Sequence, residues 1–202
     1  MGREIQCRMK SDGKWFEGKA LLETKEILFR GDQRLKIPIA EIKSTIARDG
    51  ELHLQWAGNS ATFELGEQAA KWAHAILHPK TTADKLGIKP GLTISALHLP
   101  GDATMQDARK AVAAFSDKKL LKASDMIFVG ATTTSDLGGI TKLIPSLAAS
   151  GALWVVYPKG RQNITELQVL SAGRAAGLVD IKVVSYSPTH TALKFVRPKA
   201  KR

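Results

Sequence analysis

The hydrophobic rhythm of this 202-residue chain changes once, near Pro79, and that change limits the fold more than any motif does. Upstream, apolar residues recur at every second position in short runs broken by glycine turns. Downstream, unbroken apolar runs alternate with stripes at spacings of three and four. A period of two belongs to a half-buried strand and a period near 3.6 to one face of a helix. The shift therefore predicts two units with separate cores, residues 1–79 and 80–202, joined at the polar Lys80-Thr81-Thr82.

The first unit reads as antiparallel strands at residues 17–22, 26–30, 35–39, 42–47, 51–56 and 61–65. Asp49-Gly50 and Gly58-Asn59 supply turns, since glycine tolerates positive φ without steric cost. Pro38 cannot donate a ladder hydrogen bond, so its strand is expected on an edge. Ala69, Trp72, Ala73, Ile76 and Leu77 then form one helical stripe that ends by Pro79.

The second unit opens with a strand at 93–99. A helix capped by Thr104 follows, with a stripe of Ala108, Ala111, Val112 and Phe115 and with Asp107 in its first turn. The apolar runs 126–131 and 152–157 suit strands covered on both faces. Between them, Ser135 or Asp136 caps a helix carrying Leu137, Ile140, Leu143, Ile144 and Leu147. Thr165 with Gln168 makes a capping box for a helix stopping at Gly177. Two strands around 179–183 and 193–195 close the unit as a hairpin. The order β-α-β-α-β-α-β-β gives a mostly parallel sheet with right-handed crossovers.

Residues 17–42, EGKALLETKEILFRGDQRLKIPIAEI, together with the helix that ends this unit, resemble pleckstrin-homology-like modules. That resemblance implies a small β-barrel capped by one helix, with Trp72 plugging an open end, and a role in binding phosphoinositides, peptides or proteins. Lipid-binding members carry a basic cluster between their first two strands. Ser11-Asp12-Gly13-Lys14 offers few positive charges there, so interaction or scaffolding is the expectation. In the second unit, ADKLGIKPG at 83–91 and GALWVVYPKG at 151–160 resemble an uncharacterised bacterial α/β family, and the last hairpin resembles the end of a Rossmann-like methyltransferase domain. In methyltransferases a glycine-rich turn after the first strand and an acidic residue ending the second hold the donor. Here His98-Leu99-Pro100-Gly101-Asp102 contains no Gly-x-Gly, so the resemblance implies the architecture without its cofactor, and no cofactor is expected. The overall expectation is α+β and α/β: a PH-like barrel followed by a Rossmann-like sheet.

Of the net charge of +11, residues 1–79 contribute 12 Lys and Arg against 11 Asp and Glu, and residues 80–202 contribute 18 against 8. The excess lies in the second half, with Arg197, Lys199, Lys201 and Arg202 near the end as candidate polyanion contacts. One cysteine, Cys7, excludes an internal disulfide and points to a reducing, cytoplasmic setting. No signal-peptide run and no bilayer-length apolar stretch is read.

In an open parallel sheet, ligands sit outside the carboxyl ends of the strands. Lys159 and Arg161 precede the capped helix at Thr165, and Thr132, Thr133, Thr134 and Ser135 lie on the neighbouring loop, so these six form a candidate anion site. His98 and His190, with Asp136 or Ser187, are a second candidate set in the same crevice, as acid–base groups. His74 and His78, four apart on a helix without a nearby thiol or glutamate motif, read as dipole partners, and no metal is expected. The tryptophans Trp15, Trp56, Trp72 and Trp154 read mainly as core. The reading leans to a non-catalytic protein that binds other proteins. The alternatives are an enzyme acting on a nucleotide or phosphorylated molecule in the crevice, and a salt-sensitive nucleic-acid binder.

Overall fold

Two-residue turns with positive φ organise the first half of the chain, whose structure is a computed structural model describing residues 3–101 and 103–198. Asp12-Gly13 (φ 49° and 78°) joins β1 (Arg3–Ser11) to β2 (Lys14–Leu22), and Asp49-Gly50 (52° and 81°) joins β5 (Ile42–Arg48) to β6 (Glu51–Trp56). Paired left-handed residues match the twist of the strands that they connect. The turn expected at Gly58-Asn59 lies one residue earlier, at Ala57-Gly58 (43° and 82°), and Asn59 already begins β7 (Asn59–Glu64). Between these hairpins run β3 (Glu26–Gly31) and β4 (Arg34–Pro38).

The seven strands form one antiparallel sheet in the order β4-β3-β2-β1-β7-β6-β5. A closed barrel was the expectation, but the described ladder ends at β4 and β5, which do not pair. β4 stops at Pro38, which has no N–H to extend a ladder, and a 3-10 turn over Ile39–Glu41 carries the chain on to β5. The sheet nevertheless curls around its core. Phe29 on β3 and Phe63 on β7 are separated by two intervening strands, yet their ring centroids are 6.2 Å apart. A flat sheet would set those strands about 14 Å apart at the usual spacing of roughly 4.8 Å. Met9, Ala20, Ile27, Ile37, Leu52 and Leu54 fill the interior. Helix α1 (Gln68–Leu77) closes this core with Ala69, Trp72, Ala73 and Ile76; Leu77, expected on the same stripe, is instead exposed.

The chain divides into two compact units between Lys80 and Thr81. The second unit opens with a short helix that the sequence pattern did not reveal, starting within the boundary at Lys80-Thr81-Thr82. Thr81 caps the short helix α2 (Thr82–Leu86): its Oγ1 accepts from the Asp84 amide, and the Asp84 carboxylate accepts from the Thr81 amide. Gly87 then ends α2 in the left-handed conformation, φ 83°.

Six strands build the second sheet, β12-β13-β11-β10-β8-β9. β8 (Thr93–Leu97), β9 (Ala114–Ser116), β10 (Ser124–Gly130) and β11 (Leu147–Pro158) pair in parallel. β13 (His190–Val196) inserts antiparallel between β11 and β12 (Val179–Ser185). This is the mostly parallel, Rossmann-like sheet with a closing hairpin that the alternating rhythm indicated. β9 is the correction. Phe115 was placed on a helical stripe, but α3 (Ala103–Ala111) ends first and Thr104 lies within it; the Ala113 and Ala114 amides turn back to the Leu92 carbonyl, and Phe115 pairs with Ile94. The helix expected after Asp136 is also broken, into a 3-10 turn (Thr134–Gly139), α4 (Ile140–Leu143) and a second 3-10 turn (Ile144–Ser146). Helix α5 (Glu166–Ala175) begins at the Thr165–Gln168 box, as its sequence specifies.

Both faces of this sheet are covered. Ile127, Leu153, Val155, Leu193 and Phe195 pack with Ile140, Leu143 and Val169 on one side. Phe128, Trp154 and Val156 pack with Leu86, Met105 and Ala108 on the other, where the Phe128 and Trp154 rings stack at 6.1 Å. Of the four tryptophans, Trp56, Trp72 and Trp154 are buried, while Trp15 is 40% exposed beneath the Arg8 guanidinium. Among the described residues, no helix is long and apolar enough to cross a membrane.

Candidate functional site

Where β8 ends, the chain makes a tight, strained departure. His98 has φ 53°, a left-handed conformation that costs a residue with a Cβ about 1–2 kcal/mol. Its carbonyl is pressed against the last residue of β10: a Cβ on Gly130 would stand 2.0 Å from the His98 oxygen. Only glycine permits this approach, so Gly130 fixes the position of the His98 turn.

The turn separates two hollows at the carboxyl ends of the strands. One, of about 390 Å³, is lined by Leu97, His98, Thr132, Asp136, Ile140 and Leu143, among others. The other, of about 360 Å³, lies between the His98–Gly101 turn and α3 and includes Met105, Arg109, Phe115 and Asp117. Both volumes fall at the lower end of the range of small-ligand sites.

The polar groups at these hollows are largely engaged with each other. Asp136 Oδ2 accepts from the Thr132 amide at 2.8 Å, the Thr133 amide at 2.9 Å and Thr132 Oγ1 at 3.1 Å. The two amide bonds lead in holding its pKa down to about 2, with the hydroxyl bond next. In the second hollow, Arg109 donates to Asp117, and that hydrogen bond lowers the Asp117 pKa. The Arg109 guanidinium also lies 4.9 Å from the centre of the Phe115 ring.

The six residues read as an anion site are placed as follows. Lys159 Nζ donates to Ser185 Oγ at 2.8 Å and to the Ser187 carbonyl at 2.7 Å, tying down the β12–β13 hairpin. Thr132 and Thr133 hold Asp136. Thr134 lines a different depression, beside Leu167 and Gln168 of α5. Ser135 and Arg161 are exposed. Lys159 and Arg161 line neither of the two hollows. Of the crevice set, His98 and Asp136 share one hollow, whereas His190 caps its own turn, with Nδ1 2.9 Å from Thr189 Oγ1. Arg197 donates to the carbonyls of Ile144, Leu147 and Ala148, so its charge ties β13 to the start of β11; Lys199, Lys201 and Arg202 lie outside the described residues.

The sequence reading missed Arg109, Asp117 and Gly130. One signal was available for Asp117. In nucleotide-binding sheets an acidic residue stands about 20 residues beyond the first strand's turn. Asp117 has that spacing from His98, but it was hidden once Phe115 had been assigned to a helix. Among the described residues, no three His, Cys, Asp or Glu side chains gather as metal ligands; His74 and His78 stand alone as a ring pair at 4.6 Å.

No protein-family model and no curated relative matches the sequence. Several solved structures are similar to it. An S-adenosylmethionine-dependent methyltransferase from Aquifex aeolicus is 13% identical, with 55% of this chain and 85% of that chain covered, at a TM-score of 0.44. A TehB-like methyltransferase from Corynebacterium glutamicum is 11% identical over 64% of this chain and 96% of that one, at 0.40. An O-methyltransferase from Thermotoga maritima is 8% identical over 98% and 94%, at 0.43. At such identities and TM-scores they assign no ligand or reaction to this chain.

Proposed function

We propose that the protein is a binding or scaffold protein whose second unit keeps the crevice of a nucleotide-handling sheet without a reaction centre. The observation that carries this reading is the Arg109–Asp117 pair. Asp117 directly follows β9, the strand beside β8, where a carboxylate would take ribose hydroxyls, and a cation of the same unit already occupies it. The rest of the crevice agrees with this. Asp136, with a pKa near 2, is a poor proton carrier at neutral pH and serves its own loop. The Lys159 ammonium is spent on the hairpin. The first unit, with its curled seven-stranded sheet and closing helix, is read as a PH-like interaction module, and the setting as cytoplasmic. The partner on this reading is another protein.

The test is calorimetric titration with S-adenosylmethionine, ATP and a sugar phosphate, run beside an assay for S-adenosylhomocysteine release. No saturable heat and no product are expected. Saturable binding accompanied by product would overturn the reading.

A second reading, a nucleoside-binding enzyme, draws support from the same hollow, because Met105 and Phe115 offer apolar surface beside the Asp117 carboxylate. It predicts that Arg109→Ala exposes the carboxylate and strengthens nucleoside binding. The proposed binding role predicts no such gain.

A further inference from the structure

The first unit carries a pair of cations that its own fold leaves unbalanced. The β3–β4 register sets Arg30 directly opposite Arg34 on the outer, solvent-facing side of the sheet. Lys19 of β2 stands opposite Arg30 in turn, so three cations form one cross-strand row. Like charges placed directly opposite each other destabilise a sheet. Elsewhere on this face the chain relieves such charge. Lys19 is bridged to Glu4 at 2.6 Å, and Lys36 to Glu26 at 2.7 Å. Among the described residues, neither Arg30 nor Arg34 has a carboxylate within ion-pair distance, Asp32 of the intervening turn included.

The pair also lines a concavity. Arg30, Arg34 and Lys36, with Leu28, Phe29 and Leu35, enclose about 380 Å³. On this outer face Leu28 is the half-buried apolar side chain, whereas Leu35 lies opposite Phe29 and packs against the core, so the hollow combines the Leu28 surface with a cationic rim. Two arginines set opposite each other bring two positive charges and two planar sets of donors to one patch. That arrangement suits a dianion with several oxygens better than a single carboxylate. We propose that Arg30 and Arg34 form a binding site for the dianionic phosphate of a small phosphomonoester, whose organic body rests against Leu28. The ligand supplies the negative charge that no described carboxylate brings to the pair. The site lies wholly within the first unit and is independent of the crevice in the second.

The test uses the full chain and calorimetric titration with phenyl phosphate, phenyl sulfate and inorganic phosphate at pH 7.5. Phenyl phosphate binds at one site, and the singly charged sulfate is at least tenfold weaker. Affinity for phenyl phosphate falls as pH drops through the second phosphate pKa, near 6. Arg30→Gln and Arg34→Gln each weaken binding tenfold or more, whereas Lys25→Gln, an exposed cation on the same unit, leaves it unchanged. Arg34→Glu supplies the missing countercharge; it abolishes binding and raises the unit's Tm by roughly 1–5 °C, so lost affinity cannot be laid to lost folding. Vesicles of phosphatidylcholine with and without phosphatidic acid separate the sources of the phosphate. Capture only by the acidic vesicles, together with phenyl phosphate binding, identifies a lipid phosphomonoester, and phenyl phosphate binding alone identifies a soluble one. Equal affinity for phosphate and sulfate, equal loss in Lys25→Gln, or no binding in any arm overturns the proposal.

Discussion

Replacing Gly130 with alanine tests whether the His98 turn is pinned by the strand beside it. The added Cβ would stand 2.0 Å from the His98 oxygen and 2.8 Å from its carbonyl carbon. Ordinary contacts begin near 3.5 Å, so the turn must retreat by roughly 1.5 Å. The atoms met are backbone atoms of the turn that leaves β8, next to the parallel strand β10, and no side chain can swing aside. Overpacking of this kind costs about 1–3 kcal/mol. Loss of glycine's freedom in the unfolded chain returns roughly 0.4–1 kcal/mol. The expected net loss is about 1–2 kcal/mol. Native-state amide exchange on the strand residues Ile94, Ile127 and Phe128 reads this in the second unit alone, whereas a global melt would mix the two units. His98→Gly removes the strain of φ 53° and lets the turn shift. In the double variant the two effects therefore couple by at least about 0.5 kcal/mol toward rescue. A Gly130→Ala protein within 0.3 kcal/mol or so of the parent would refute the pinning, and with it the claim that Gly130 shapes both hollows.

Three further outcomes are expected. Asp136 has a folded pKa of about 2, below the 3.8 of a free carboxyl, so its contribution is complete above pH 4 and is lost as pH falls toward 2; Asp136→Asn should flatten the second unit's stability profile across that interval, as followed by amide exchange. Gly173→Ala places a Cβ 2.1 Å from Phe195 Cε1, where α5 crosses β13. It should cost about 1–3 kcal/mol, and Phe195→Leu should recover part of that loss in a denaturant series. Arg109→Met removes the hydrogen bond that lowers the Asp117 pKa; an NMR titration should then show that carboxyl moving up toward the ordinary range, and an unmoved Asp117 would deny that the pair governs the hollow.

Local chemistry made much of this fold legible. Asp49-Gly50 gave its turn, Pro38 its edge strand, and Thr165 with Gln168 the start of α5, because each is decided by backbone φ, a missing N–H or a side chain three residues away. The alternation of Leu52, Leu54 and Trp56 gave their buried face in the same way. Phe115 shows where such reasoning stops. Its spacing from Ala108 and Ala111 fits a helix, yet the free edge of β8 draws it into β9, a long-range pairing that no local window contains.

The candidate site divides along the same line. The sequence by itself determined two units, the parallel sheet, and which loops stand at the strand ends, since hydrophobic period and turn chemistry are properties of neighbouring residues. Only the tertiary structure decided that Lys159 bonds the hairpin, that Arg109 covers Asp117, and that Arg30 faces Arg34 with no carboxylate among the described residues within ion-pair distance. A charge acquires its role from the partners that folding brings within about 3 Å, and those partners lie on other strands and turns, at distances along the chain that composition and periodicity do not encode.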